Sequence, residues 1–516
     1  MIDADTIEPG KARSVLFANT IAFATCFACW MVYGVLITFL VENGLYRWNA
    51  SQIGMLIGIP VLTGSIMRLP VGIWTDQFGG RIIFAGLMLL AAVAMYFVGS
   101  CDTYMQFLLA GLGFGLCGAS FAVGIAYTSL WFPKEKQGTA LGIFGAGNAG
   151  AALTSMGAPH LLKVLTDHGQ NLEGWRMMPK IYAAALVVMT LIYWFLTHPK
   201  KVEHGRGFTM AQRLSPLKDI RVWRFGLYYF FVFGGFVALA QWLVPYYVNV
   251  YAMPLAMAGM MAAIFSLPSG VIRALGGWMS DVWGARFVMY MVLIACLVSS
   301  ILLTIPRMDI ESPGQGVTAL KSGTVVSVND QKIVLENAKD GVKEYSLRKK
   351  NPSSVYSIAQ DRKEMVVWPT FAFWQEPVVK VGDVVEKKQL LARGVTHIFF
   401  QANVWIFTIL VFVIGVMTGI GKAAVYKHIP DYFPKDVGVV GGIVGVLGGL
   451  GGFVGPMVFG YLLQLTGIWT TCWLLFTGLI SVCLFWMHWV ITKMVRQKAP
   501  ELLHQIDDDI KHAIRM

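Results

Sequence analysis

One motif written twice constrains this chain more than any other feature. Residues 64–81 read GSIMRLPVGIWTDQFGGR, and residues 269–286 read SGVIRALGGWMSDVWGAR. In each copy an arginine inside an apolar run, Arg68 or Arg273, precedes the pattern G-x-x-x-D-x-x-G-x-R. The first instance is Gly72, Asp76, Gly79 and Arg81; the second is Gly277, Asp281, Gly284 and Arg286. Every matched pair lies 205 positions apart, from 68 to 273 and from 81 to 286 alike, which is duplication and not chance composition. A chain built this way folds as two related halves, each with a cation in apolar surroundings.

The apolar runs identify the medium. A membrane helix needs about 20 predominantly apolar residues, and twelve such stretches occur: about 14–41, 52–75, 82–100, 106–132, 137–160, 178–197, 222–250, 254–279, 287–306, 402–426, 437–465 and 468–492. With 56% hydrophobic and only 14% charged residues, a soluble globular domain is excluded. The net charge of +12 does not point to nucleic acid, because of where the cations lie. Lys200, Lys201, Arg206, Arg213, Lys218, Arg221 and Arg224 crowd the link between spans six and seven, Lys134 and Lys136 follow span four, and Lys493, Arg496 and Lys498 follow span twelve. The short opposite loops are poor in them, with none between spans seven and eight or eleven and twelve, so both termini are expected in the cytoplasm, beside anionic lipid. Seven cysteines lie in or beside the spans, and the Cys26/Cys29 spacing has no second pair to complete a metal site. No metal or cofactor is expected.

A second repeat locates an insertion. Residues 118–159, GASFAVGIAYTSLWFPKEKQGTALGIFGAGNAGAALTSMGAP, recur in outline at 419–456 as GIGKAAVYKHIPDYFPKDVGVVGGIVGVLGGLGGFVGP. Aligning Phe132 with Phe433 gives an offset of 301 against the earlier 205, so 96 extra residues lie between Arg286 and Phe433. Residues 307–397 supply most of them: they are charged, rich in turn signals, and contain alternating stretches such as GTVVSVNDQKIVLE (323–336). They predict a small β-rich periplasmic insertion between helices nine and ten. Its VVKVGDVVEKKQLL stretch (378–391) resembles the hammerhead turn of biotinyl/lipoyl-type domains but has no modifiable-lysine motif. The expected organisation is a six-helix bundle over 1–198, a cytoplasmic linker over 199–221, a second bundle from 222–306 and 398–493, and a tail over 494–516.

The chemistry lies in the spans. Arg68 precedes Asp76 by eight residues, which at 1.5 Å per residue puts it roughly 12 Å inside the helix end, near the middle of a layer about 30 Å thick. Arg68, Arg273 and Lys422 are the ionisable groups well inside the spans, and no Asp or Glu lies at similar depth. A buried cation requires an anion or water; with no fixed carboxylate available, the missing anion is read as the substrate. The planar guanidinium fork suits a trigonal anion. The bland reading is two arginines satisfied by helix carbonyls in a rigid core. Lys422 is Phe121 advanced by 301 positions, so the two are expected to face each other. Lys422 is either a third charge in the site, a proton-coupling group, or a lysine reaching the cytoplasmic surface near Lys427.

Spans five and eleven are glycine stripes containing Gly145 and Gly147, then Gly445 and Gly449, and small residues at this spacing let helices touch. Asn148 is the polar exception in the stripe, hence a substrate candidate. Gly72, Asp76, Arg81, Gly277, Asp281 and Arg286 are read as a conformational gate: the glycines would permit close helix contact, and the aspartates would pair with nearby cations.

The duplicated G-x-x-x-D-x-x-G-x-R resembles the signature of the major facilitator superfamily, and the glycine stripes with the two arginines resemble its nitrate/nitrite porter family. The resemblance covers the twelve spans and excludes the insertion. It implies an all-α membrane protein with the major facilitator fold, twelve transmembrane helices in two six-helix bundles rocking about a midplane site. By the same resemblance Arg68 and Arg273 would clamp nitrate or nitrite, Phe121 would pack on the anion, Asn148 would contact it, and the aromatic-glycine run YFFVFGGF (229–236) nominates Tyr229 and Phe233. The expected function is secondary transport of nitrate or nitrite in the bacterial inner membrane, leaning to proton symport over nitrate/nitrite exchange. An oxalate/formate-like organic-anion exchanger and a receptor or assembly factor acting through the insertion, whose partner is open, are the alternatives. No nucleophile–base constellation points to an enzyme.

Overall fold

The computed structural model describes residues 9–200, 215–305, 308–337, 341–349, 370–400, 403–433 and 437–498. Most of the expected linker and of the C-terminal tail lies outside these residues, including Lys201, Arg206 and Arg213. The chain divides into two compact units, Met1–Thr304 with Thr408–Met516, and Ile305–Phe407.

The first unit is helical. Among the described residues, ten helices are long and apolar enough to cross a membrane, and eleven if the bent pair Leu255–Val271 and Arg273–Trp283 counts as one span. The remaining expected span is present in pieces. Helix Lys134–Gly145, a 3-10 turn at Ala146–Ala149 and helix Gly150–Leu165 follow one another, so its glycines and Asn148 break it and dilute its hydropathy. Polar caps start several helices. The Asn49 side chain accepts from the Gln52 N–H at 2.8 Å while Gln52 returns the bond at 2.9 Å, a reciprocal box that Thr103 and Gln106 repeat. Asp219 caps helix Ile220–Tyr229, and hydrogen bonds from Arg221 hold its carboxyl below the ordinary carboxylate value.

Both motif-bearing spans break at equivalent places. Helix Ala50–Ile66 ends at Met67 and a new helix begins at Arg68; helix Leu255–Val271 ends at Ile272 and a new one begins at Arg273, bent by 47°. Met67 and Ile272, again 205 positions apart, have nearly the same backbone angles (φ −69°, ψ −12° and φ −70°, ψ −5°). A proline contributes to the first break, since Pro70 lacks the N–H that would bond the Ile66 carbonyl four residues earlier. Each arginine therefore opens the half-helix beyond a kink, but the hydrogen-bond ladder runs on across it: the Met67 N–H bonds the Thr63 carbonyl at 2.9 Å and the Ile272 N–H bonds the Pro268 carbonyl at 2.9 Å. The half-helices both stop at the second motif glycine, Gly79 (φ 93°) and Gly284 (φ 83°), a conformation that a side chain would strain.

The halves touch on one side of the arginines and part on the other. Beyond them, Gly54 admits the carbonyl of Pro456, the Ser51 N–H donates to Gln464 at 3.3 Å, and Gly259 admits the Ser155 carbonyl. Towards the motif ends, a Cβ added at Gly72, Gly277 or Gly442 would meet nothing within 4 Å. The expected close helix contact at Gly72 and Gly277 is thus absent in this conformation, because the helices they would join have separated. All seven cysteines are buried and free.

The second unit is antiparallel β structure. Strands β1 (Met308–Thr318), β7 (Leu390–Phe400) and β5 (Thr370–Pro377) form one sheet in the order β1-β7-β5. Strands β2 (Gly323–Val328), β3 (Lys332–Asn337), β4 (Gly341–Ser346) and β6 (Val384–Val385) form another in the order β4-β3-β2-β6. Val325, Ile333, Leu335, Val385 and Leu391 fill its core. Gly382 (φ 93°) and Asp383, whose carboxylate accepts from the Lys380 N–H at 2.7 Å, make the tight turn before β6.

Candidate functional site

Irregular helix turns build the centre of the first unit. A π-helical turn, Phe230–Gly235, holds Phe233; a 3-10 turn, Gly115–Ala119, precedes Phe121; another, Ala146–Ala149, holds Asn148. Such turns leave backbone groups pointing away from regular ladders and recur at functional positions.

Phe121 lies between the two arginines. The guanidinium carbon of Arg68 is 5.4 Å from its ring centre and that of Arg273 is 5.3 Å. Arg68 also lies 4.7 Å from the ring of Phe233 and 5.9 Å from that of Trp30, and Arg273 lies 5.6 Å from that of Tyr426. Each such contact is worth about 0.5–2 kcal/mol. Phe233 stacks on Tyr229 at 5.1 Å and faces Phe121 at 6.2 Å, while Tyr229 meets Tyr426 edge-on at 4.9 Å. The two halves thus share one aromatic box around two cations.

The arginines are held unequally. Arg68, 4% exposed, donates from Nη1 to the Gly445 carbonyl at 2.7 Å and from Nε to the Gly118 carbonyl at 3.3 Å, which leaves Nη2 buried without a partner. The helix-carbonyl reading therefore accounts for part of Arg68. It does not account for Arg273, which makes no hydrogen bond among the described residues and whose Nη1 is buried. Neither arginine, nor Lys422, forms an ion pair among the described residues. Other buried polar atoms nearby also lack partners: the Tyr229 hydroxyl and the Asn148 Oδ1. Asn148 spends one amide hydrogen on the Gly145 carbonyl at 2.9 Å and keeps a second.

One of the four singled-out glycines makes room for a cation, and two lie beside one. A Cβ at Gly145 would come within 3.2 Å of Arg273 Cδ; at Gly449 it would overlap Ser65 Oγ and at Gly445 it would meet the Tyr426 hydroxyl at 3.2 Å, with Arg68 Nη1 at ordinary contact distance from both (3.4 and 3.9 Å). Gly147 does something else, lying against the Thr20 carbonyl of the first span. The pattern is reciprocal: the first half's arginine rests on the second half's stripe, and the second half's arginine on the first half's.

Lys422 is wholly buried. Its Nζ donates to Ser269 Oγ at 3.0 Å and lies 3.2 Å from the Phe236 ring centre. It does not reach the surface beside Lys427. Lys422 Nζ and the Phe121 ring, expected to face each other, both lie about 6 Å from the ring of Phe233 (6.0 and 6.2 Å). Sequence reasoning passed over Tyr426, Ser269 and Trp30. Tyr426 follows Lys422 by four residues and Ser269 precedes Arg273 by four, so helical spacing alone would have put them on the right faces.

At the gate, Asp281 pairs with Lys427 at 2.5 Å, both more than 45% exposed. Arg286 donates to the Tyr432 hydroxyl at 2.8 Å, whereas Arg81 donates to the Trp194 carbonyl at 2.5 Å. The two copies of the motif are thus used differently in this conformation.

Known proteins match this arrangement. The family model described as Major Facilitator Superfamily matches residues 19–327 and 390–512, leaving out most of the β unit. A protein of Thermus thermophilus named probable nitrate/nitrite antiporter NarK1 is 36% identical over 97% of this chain and 96% of its own length. The nitrite extrusion protein of Bacillus subtilis is 27% identical over 60% of this chain and 75% of its own. Among solved structures, a bacterial homolog of the human lysosomal transporter Spinster, inward-facing and occupied, has a TM-score of 0.58 at 15% identity, covering 93% of this chain and 97% of that one.

Proposed function

This chain belongs to the major facilitator superfamily of membrane transporters, and we propose that it carries nitrate and nitrite across the bacterial cytoplasmic membrane by alternating access. The observation that carries this reading is Phe121 facing the buried guanidinium of Arg68 and the partly buried one of Arg273, neither of which pairs with a carboxylate among the described residues. Two such forks, one from each half, present donors to opposite edges of a flat anion, and the aromatic faces replace its water. A small trigonal anion fits a site whose free donors are Arg68 Nη2, Arg273 Nη1 and the Tyr229 hydroxyl. The names of the relatives from Thermus thermophilus and Bacillus subtilis support the same substrate pair.

Arg68 and Arg273 are the proposed clamp, Phe121 the platform, and Tyr229, Phe233 and Asn148 its walls. Because Arg68 binds the Gly445 carbonyl of the other half, an anion drawn between the arginines ties substrate binding to the contact between halves. The parted motif ends leave the clamp reachable from the side that the charge pattern assigns to the cytoplasm.

Coupling follows from Lys422, since a buried lysine can release a proton whereas arginine essentially cannot. Proton symport is the reading we take. Exchange is favoured by a separate observation: a centre with three unpaired cations resists reorienting when empty, and the relative from Thermus thermophilus is named an antiporter. The test of substrate is competition in proteoliposomes. Excess nitrite should suppress labelled nitrate entry while oxalate and formate leave it unchanged. Suppression by the organic anions alone would assign the site to them.

A further inference from the structure

A second basic site lies away from the central clamp. Between helices Ile220–Tyr229, Ala285–Leu303, Val404–Tyr432 and Thr471–Lys498 is a cavity of about 1120 Å³ lined by Arg221, Arg224, Arg286 and Lys493, with Trp283 and Trp489 among its walls. No carboxylate among the described residues lines it. Asp219 neutralises Arg221 through a 2.6 Å ion pair, and three cations remain.

Arg224 is the informative one. It is 7% exposed and lines the cavity, yet forms no hydrogen bond or ion pair among the described residues; the rings of Phe225 and Tyr432, at 5.1 and 5.9 Å, face it, and Asp219, already paired with Arg221, acts on it only at longer range. A guanidinium at a cavity wall with no acceptor from the described chain is open to an anion from outside it. The equivalent place in the first half is filled. There Arg81 donates to the Trp194 carbonyl and stacks on its ring at 4.2 Å. Tyr127, which the 301-residue offset matches to His428, donates to the His198 carbonyl. Duplication therefore produced a plugged corner and an open one.

The rim says what occupies the open corner. Trp283, Trp489 and Phe287 are 49%, 54% and 59% exposed, apolar surface suited to lipid at headgroup depth. The volume far exceeds that of a triatomic or tetratomic anion. We propose that this corner binds the phosphate headgroup of an anionic diacyl phospholipid, with Arg224, Arg286 and Lys493 on the phosphate and the tryptophans against the glycerol and upper acyl chains. Basic pockets between membrane helices take lipid headgroups by this chemistry. Arg286 belongs to the gate motif, so the lipid also bears on the gate.

The test is native mass spectrometry of the full-length, delipidated protein with phosphatidylglycerol and phosphatidylcholine at equal mole fraction. Phosphatidylglycerol should be retained about tenfold more strongly, a preference that Lys493→Gln with Arg224→Gln should reduce to the phosphatidylcholine level. Lys493 is exposed, so Lys493→Gln alone, which should lower the preference several-fold, serves if the buried substitution prevents folding. Millimolar inorganic phosphate or glycerol phosphate should not displace the lipid. Equal retention of both lipids, or unchanged retention in the folded variants, overturns the site; displacement by free phosphate overturns the lipid and assigns a soluble anion.

Discussion

Replacing each arginine by lysine in turn separates what the clamp does for the substrate from what it does for the fold. Arg273 makes no hydrogen bond to the described chain, and its contacts are the rings of Phe121 and Tyr426 at 5.3 and 5.6 Å. Lysine keeps the charge and much of the stem, so Arg273→Lys should change unfolding stability by less than about 1 kcal/mol. Towards nitrate the loss is larger, because a point charge replaces a planar fork. One charge-assisted hydrogen bond is worth about 1.5–3 kcal/mol, and at about 1.4 kcal/mol per tenfold affinity should fall roughly 10- to 150-fold. Arg68→Lys should cost the same in affinity and also destabilise the protein by about 1–3 kcal/mol, because the Gly445 and Gly118 carbonyls lose their donors. Calorimetry for nitrate and thermal unfolding without it, both in detergent, read the two effects. Equal destabilisation by the two changes, or nitrate affinity within twofold of the parent in a folded Arg273→Lys, would refute the division of labour.

Other expectations follow from the same geometry. Phe121→Ala removes the ring that both guanidinium groups face and should weaken nitrate binding by about 1–2 kcal/mol, roughly 5- to 30-fold, in the same calorimetric assay. Gly284→Ala places a side chain at φ 83° and should lower unfolding stability by about 1–3 kcal/mol, whereas Gly277→Ala, with open space around it, should leave stability in this conformation unchanged and slow transport instead. Deleting residues 312–394 should leave most nitrate transport intact; its complete loss in a folded variant would favour the receptor or assembly reading.

Duplication was the most legible property of the sequence, and the structure shows what it did. The offset of 205 placed Arg68 and Arg273 at the same break, with the same backbone angles at Met67 and Ile272. The β character of the inserted residues was legible from alternation, although its strands run on to Phe400. Less legible was anything decided by helix rotation. Lys422 and Phe121 are repeat-equivalent, but Phe233 stands near both, because the π-helical turn Phe230–Gly235 shifts the ring positions of its span. The glycines were read as packing residues, and one sequence cannot tell a glycine that admits a helix, as Gly147 and Gly449 do, from one that admits an arginine, as Gly145 does. Gly72 and Gly277 of the repeated motif face open space, which the spacing of the motif did not foretell. Asymmetry between copies was invisible for a similar reason: Arg81 and Arg286 read alike, yet Trp194 occupies only the first.

The central claim is that an anion, held by Arg68 and Arg273, is the cargo. Labelled nitrate entry into proteoliposomes at fixed membrane potential tests it most directly, with vesicles empty or loaded with nitrite, with or without an inward proton gradient. The account predicts entry into empty vesicles that the proton gradient stimulates, and loss of that stimulation in Lys422→Gln. Stimulation by internal nitrite alone would replace symport with exchange and leave Lys422 a fixed charge. No nitrate entry under any of these conditions, from protein shown to be folded, would contradict the account.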